Sequence, residues 1–126
     1  MEKSKLASYR DLEVWQLGIN LVASIYEIVR EFPISERYGI VSQLQRAAVS
    51  IPANIAEGHA RDSTKEFLHH LSFALGSLAE LETLLHVAKQ LNYVPAWTVD
   101  EMTTKCDKLG KMLRGLQKSL KARLKP

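Results

Sequence analysis

The chain has 126 residues, of which 46% are hydrophobic and 25% charged, and its formal net charge is +3 at neutral pH. These values fit one folded domain and exclude an extensively disordered chain. Cys106 is the only cysteine, which excludes an intramolecular disulfide. The amino terminus is polar, and no uninterrupted apolar run approaches the ~20 residues that span a bilayer. We therefore expect a cytoplasmic protein that makes no use of a membrane.

Four segments with helical periodicity follow one another along the chain. The first spans about residues 11–31, with Asp11 as its capping residue, and it ends before Pro33. The second spans about residues 35–58. It ends at Gly58, a residue type that commonly terminates helices in the left-handed conformation.

The third and fourth segments each open with the pattern of a capping box. The third spans about residues 63–91 and opens at Ser63–Glu66, and the fourth spans about residues 98–121 and opens at Thr98–Glu101. Because short connections make consecutive helices antiparallel, the sequence predicts an all-α, up-down-up-down four-helix bundle. We expect residues 1–126 to form this one domain.

The third helix carries the clearest apolar pattern. Its apolar residues alternate spacings of four and three without interruption, which is typical of a helix packed into a bundle with a slight supercoil. This seam consists of Phe67, Leu71, Ala74, Leu78, Leu81, Leu85 and Ala88.

The first and third helices have more apolar surface than a monomeric bundle needs, since a stripe only slightly wider than ~100° would suffice. We interpret the surplus as an interface between copies of this chain, with a thick and irregular core as the alternative. The predicted interface residues are Trp15, Leu17, Leu21, Ile25, Phe73, Leu84, Val87 and Leu91.

No residue pattern typical of an enzyme stands out. The four histidines do not form a standard metal-site spacing, and the inward positions of the third helix are apolar. Cys106 lies on the apolar side of the fourth helix with no histidine close in sequence. The chain has neither a glycine-rich phosphate loop nor a glycine-flanked nucleophilic serine. We therefore predict a protein that is not an enzyme and holds no metal or cofactor.

The basic residues concentrate in the last helix. From Lys105 to the end of the chain, eight basic residues accompany one acidic residue, whereas the rest of the chain is acidic overall. Five of the basic residues fall in one narrow sector of a helical wheel, opposite an apolar face. This basic stripe consists of Lys111, Arg114, Lys118, Lys121 and Lys125.

A row of cations suits the phosphates of a nucleic-acid backbone, because each neutralised phosphate releases condensed counterions. The stripe therefore predicts non-specific binding of RNA or DNA, which oligomerisation would strengthen. A solvated lysine face is the plain alternative. Binding to an anionic membrane ranks third, because the apolar face lacks Trp and Phe anchors. Without an aromatic platform, nothing predicts sequence-specific or single-strand recognition.

Pro52 lies inside the strongly helical pattern of the second segment. It removes one backbone donor and crowds the carbonyl of Ala48, so we expect a kink there. Ser50 and Asn54 flank it and are placed to satisfy freed backbone groups.

The segment from Arg46 to Gly58 closely resembles the signature of the four-helix-bundle proteins encoded in intervening sequences of bacterial 23S rRNA genes. The segments 9–15 and 37–44 also resemble that family, so the similarity covers about residues 9–94. The resemblance implies an antiparallel bundle that assembles as a ring, a pentamer, and it brings no catalytic residues. The family is more distantly similar to the accessory variability protein of diversity-generating retroelements, a basic pentamer that binds nucleic acid and a reverse transcriptase.

Together these patterns predict a homo-oligomeric accessory or adaptor protein that binds RNA or DNA through its fourth helix. A second protein, such as a nucleic-acid-processing enzyme, would be a further partner. The alternative is a protein–protein interaction module that binds no nucleic acid, with cations that only keep it soluble.

Overall fold

The computed structural model describes residues 8–124, which contain four α-helices and no strand. Short 3-10 helices lie before and after the first α-helix and before the second, at Tyr9–Asp11, Val29–Glu31 and Ile34–Glu36. The α-helices are α1 (Glu13–Ile28), α2 (Ile40–Ala60), α3 (Thr64–Gln90) and α4 (Ala96–Leu124). The predicted all-α class with four helices is confirmed.

One hydrophobic core joins all four helices. Every residue of the predicted α3 seam is buried, because the heptad spacing keeps these side chains on the side that faces the neighbouring helices. Helix α4 also buries residues three or four positions apart, among them Met102, Cys106, Leu109 and Leu113. Each fully buried Leu or Ile contributes roughly 1.5–3 kcal/mol relative to an exposed one.

Helix α3 is long and apolar enough to cross a membrane by length and composition alone, a criterion that core helices of soluble proteins also meet. In this structure its seam packs into the core with residues of the other three helices. That packing accounts for the apolar residues of the seam, whereas Phe73 and Val87 of the same helix are exposed.

The predicted ends of α3 are close to the observed ones. The Ser63 hydroxyl accepts a hydrogen bond from the Glu66 backbone N–H at 3.3 Å, as a capping residue does. The second half of the box is absent, because the Glu66 carboxylate accepts from Arg61 at 2.9 Å instead. At the other end, Asn92 adopts a left-handed conformation with φ of 63°, which turns the chain after the helix.

Four predicted helix ends were wrong. Helix α2 begins at Ile40 rather than near residue 35, because Ile34–Glu36 forms a separate 3-10 helix. Asp11 belongs to a 3-10 helix, and the residue that precedes α1 is the extended Leu12. Thr98 is buried inside α4, which begins directly after Pro95, and the Pro95 carbonyl accepts from the backbone of Thr98 and Val99. Gly58 lies within α2, which continues to Ala60.

Gly58 allows α2 and α3 to approach each other closely, and it does not form a turn. A methyl group at this position would lie 2.5 Å from the His70 Cβ on α3, which is too near for two carbon atoms that are not bonded to each other. A similar contact joins α1 to α2, where a methyl group at Gly18 would lie 3.2 Å from the Pro52 Cβ. Small residues therefore let α2 pack closely against both of its neighbours.

The same substitution is expected to have opposite effects at two glycines. Gly58→Ala forces α2 and α3 apart and should destabilise the protein by about 2 kcal/mol, within the usual cost of overpacking. Gly76→Ala should stabilise it by about 0.5–1 kcal/mol, because Gly76 is an exposed helical residue with nothing within 4 Å of an added methyl group. Urea unfolding at one fixed protein concentration measures both. Equal effects at the two positions would contradict the close packing of α2.

Candidate nucleic-acid interface

The predicted basic stripe lies on the outer side of α4. Lys111, Arg114, Lys118 and Lys121 are all exposed, while the opposite side of the helix is buried in the core. The fifth predicted member, Lys125, lies outside the described residues. Because burying an unpaired charge is costly, the apolar side of α4 determines that these cations point to solvent.

The cations of the stripe have no acidic partner among residues 8–124. The ion pairs within that range involve only Arg30 and Arg61. Alongside the stripe runs an open groove of about 570 Å³, lined by Arg114, Gln117, Lys118, Lys121 and Ala122. Its lining therefore combines three cations, one amide and one small apolar residue, without a carboxylate.

Helix α3 lies beside the stripe. The Gln117 side-chain amide donates a hydrogen bond to the Ser72 hydroxyl at 3.2 Å. Further along, Leu75 and Ala79 of α3 share a cleft of about 180 Å³ with Lys111 and Arg114. The α3 side chains that line this cleft are Leu75, Leu78, Ala79 and Glu82.

Acidic residues lie at one end of this cleft, which Glu82 and Asp107 also line. Burial and the nearby Asp107 carboxylate raise the pKa of Glu82, while His86 lowers it. Cys106 lies at the same place. Burial, with additional contributions from the two carboxylates, raises the pKa of its thiol to about 12. The thiol is therefore not an activated nucleophile.

Six of the predicted interface residues reach the protein surface to different extents. The α3 residues Phe73, Val87 and Leu91 are between 42% and 50% exposed. The remaining three are partly buried against the core: Trp15, Leu17 and Leu84. Part of the apolar surplus predicted from the sequence is thus present on the surface of the protomer.

The prediction was wrong for Leu21 and Ile25. Their exposed fractions are 3% and 0%, because both point into the core of their own protomer. They cannot contact another copy of the chain. Ile19 and Tyr26 carry the exposed apolar surface of α1 instead, at 42% and 46%.

Sequence reasoning missed these two residues although a signal was available. Trp15, Ile19, Val22 and Tyr26 follow one another at spacings of four, three and four, which is a second seam on α1. Val49 of α2 is similarly exposed, at 43%. Three more apolar side chains, in or next to the connections between helices, are exposed by 69% or more: Ile34, Tyr38 and Trp97.

A partly buried hydrogen-bond network joins α2 to α3 near Pro52. The Asn54 side chain donates to the carbonyl and hydroxyl oxygens of Ser50 and contacts the His70 Nδ1 at 3.1 Å. The Ser50 hydroxyl pairs with that of Ser77 at 2.8 Å. The predicted contact of Asn54 with the backbone is therefore present, and its acceptor is the Ser50 carbonyl. Helix α2 continues through Pro52. The sequence analysis missed His70 and Ser77, which lie seven residues apart on one face of α3.

Within residues 8–124, no group of three or more His, Cys, Asp or Glu side chains gathers in a way that could hold a metal ion. Glu66 and His69 form a Glu-x-x-His pattern, but both residues are exposed and the Glu66 carboxylate binds Arg61. These side chains contribute to the ends of α2 and α3 rather than to a cluster.

The Cys106 thiol should resist alkylation while the protein is folded. A rise of its pKa from 9.0 to about 12 leaves about a thousandfold less thiolate at pH 8. Iodoacetamide at that pH should therefore label unfolded protein at least a hundredfold faster than native protein. Mass spectrometry of both samples gives the two rates. Comparable rates would show that Cys106 is accessible and ionised in the native state.

Comparisons with known proteins agree with this architecture. The family described as 23S rRNA-intervening sequence protein matches residues 10–115. Among solved structures, the chain is similar to a protein of unknown function from the S23 ribosomal protein family of Bacteroides thetaiotaomicron VPI-5482. The TM-score is 0.77 and the sequence identity 21%, over 83% of this chain and 95% of that chain. No curated protein shows significant similarity to the chain. Because the family match spans most of the sequence, the chain belongs to the 23S rRNA-intervening sequence protein family.

Proposed function

We propose that this protein is a homo-oligomeric accessory or adaptor that binds nucleic acid through the outer side of α4. The observation that carries the proposal is the row of Lys111, Arg114, Lys118 and Lys121, exposed and without carboxylate partners in residues 8–124. Cations free of intramolecular partners can neutralise phosphates without first breaking ion pairs.

The protein acts by binding rather than by catalysis, and it works in the cytoplasm. The buried, protonated Cys106 supports this view, since the only cysteine of the chain is not available as a nucleophile. The groove beside α4 likewise contains no acid–base pair, because its lining consists of three cations, Gln117 and Ala122.

Replacing the four described residues of the stripe by alanine should weaken binding of a mixed-sequence duplex at least a hundredfold at about 50 mM salt, because four phosphate contacts are lost. Fluorescence anisotropy measures the affinity. A matched variant carries alanine at four other exposed arginines, which gives the same change in net charge: Arg10, Arg30, Arg37 and Arg46. The account expects this control to lose no more than about threefold. Equal losses in both variants would mean that only net charge matters.

We further propose that the four helices run up-down-up-down and that the protomers form a ring, a pentamer as the family resemblance implies. Two separate apolar surfaces support a head-to-tail contact, in which one surface of a protomer meets the other surface of the next. The first includes Ile19 and Tyr26 of α1, and the second includes Phe73, Val87 and Leu91 of α3. A contact between unlike surfaces closes into a ring when the rotation between neighbours allows it.

A single acidic residue on either apolar surface should disrupt this assembly. Ile19→Glu and Phe73→Glu each place a charge where the contact buries apolar atoms, so both variants should elute as monomers or small species. Light scattering coupled to size exclusion measures their mass. Asn20→Asp adds one charge to the polar side of α1 and should leave the wild-type mass unchanged. A wild-type monomer would rule out the proposed ring.

A protein–protein interaction module without nucleic-acid binding is the second candidate function. The observation that favours it is the high exposure of Ile34, Tyr38 and Trp97, at 86%, 89% and 69%. Aromatic side chains often dominate binding energy at protein interfaces. Capture of one specific protein that persists at high salt, together with no affinity for duplex at low salt, would favour this function over the first.

A further inference from the structure

We infer that the occupant of the stripe is a nucleic-acid duplex whose phosphate ridge lies along the outer side of α4, where this helix borders α3. This inference rests on the proposed function, because it locates and limits the nucleic-acid contact that the stripe makes. The α3 residues next to the stripe have no assigned role in the structure, although they decide what can approach the cations.

Contacts between the two helices define which residues of α3 lie next to the stripe. Ser72 binds Gln117, and Leu78 lies 3.4 Å from where a methyl group at Gly110 would stand. The two helices are therefore antiparallel in this part of the bundle. This register places the α3 segment 67–79 opposite the α4 segment 110–122, which contains the four described cations of the stripe.

The α3 segment opposite the stripe has no acidic residue. Residues 67–79 contain neither Asp nor Glu. Several of the side chains exposed along this wall are also small, which lets a phosphate backbone come close to the cations: Ser72, Gly76 and Ala79. The Ser72–Gln117 pair adds hydroxyl and amide groups that can bind phosphate or sugar oxygens.

The acidic residues begin where the stripe ends. Glu82 and Asp107 line the cleft beyond Lys111, so their charges repel a polyanion that would extend further along the groove. From Lys111 to Lys121 the helix rises by about 15 Å. A strand of B-form duplex places about four phosphates along such a length. One protomer should therefore contact a short stretch of a single backbone.

A duplex fits this groove better than a single strand. Proteins that bind single strands usually stack the bases on aromatic side chains. Among the described residues that line the groove beside α4 and the cleft next to it, none is aromatic. The exposed aromatic residue of α3, Phe73, contacts His69 and His70 and lines neither the groove nor the cleft. A duplex keeps its bases stacked inside and offers only its phosphates.

An added carboxylate on the α3 wall tests the inference. In Ala79→Glu the new charge lies beside Lys111 and Arg114, where it should weaken duplex binding roughly fivefold at about 50 mM salt, with a smaller effect as salt rises. The matched control is Gln90→Glu, an exposed position of the same helix beyond the Glu82–Asp107 boundary, which should change affinity by less than about twofold. Circular dichroism and light scattering check that both variants keep the wild-type fold and mass.

The outcomes separate this inference from the proposed function. If Ala79→Glu and Gln90→Glu bind equally well while the stripe variant has lost binding, the stripe holds nucleic acid but the α3 wall is not part of the site. If wild type binds neither duplex nor single strand, the proposed function itself fails. Tighter binding of a single strand than of a duplex of equal length would overturn the choice of occupant. RNA and DNA duplexes tested side by side show which backbone the groove prefers.

Discussion

Helix α2 contacts α1 and α3 through positions that only small side chains can fill. Pro52 lies against Gly18 of α1, and Gly58 lies against His70 of α3. Ala47 and Ala48, both buried, also keep the helix thin where it passes between its neighbours. Because protein interiors are packed nearly as densely as molecular crystals, these positions determine how far apart the helices stand.

The polar network beside Pro52 fixes the register of α2 against α3. Ser50 and Asn54 of α2 bind Ser77 and His70 of α3, so one register of the two helices satisfies all four side chains. A shift along the axis would leave partly buried polar groups without partners, at about 1–3 kcal/mol for each. Packing and hydrogen bonding thus explain the alanine, proline and glycine residues of the segment 46–58.

The position of α4 follows from the three helices before it. Its apolar side covers the remaining face of the core, and the cations of the stripe are left on the outside. Next to the stripe, the α3 segment 67–79 contains no acidic residue, and Glu82 and Asp107 lie beyond Lys111. As an isolated helix, α4 would be a basic amphipathic segment. In the bundle its apolar side is buried, and only the basic side is available for binding.

Periodicity predicted several features that depend on one helix alone, although the caps expected at Asp11 and Thr98 were wrong. The α3 seam, the Ser63 cap and the exposed stripe are of this kind, since each follows from the geometry of a single helix. A helical wheel cannot show which neighbour covers an apolar residue, so Leu21 and Ile25 were assigned to an interface although they lie in the core.

Features that need two helices escaped prediction for the same reason. Gly58 was taken as a helix end because its contact with His70 depends on the position of α3. The pairing of Ser72 with Gln117 and the acidic boundary at Glu82 and Asp107 likewise depend on the register between α3 and α4.

The salt dependence of duplex binding by the wild-type protein tests the central claim most directly. If the four described cations of one protomer each neutralise a phosphate, the logarithm of the association constant should fall with the logarithm of the salt concentration with a slope of about −3.6. The slope should be steeper if several protomers bind one duplex. Such a slope is the predicted result. Affinity that does not change with salt, or no binding at about 50 mM salt, would contradict the account.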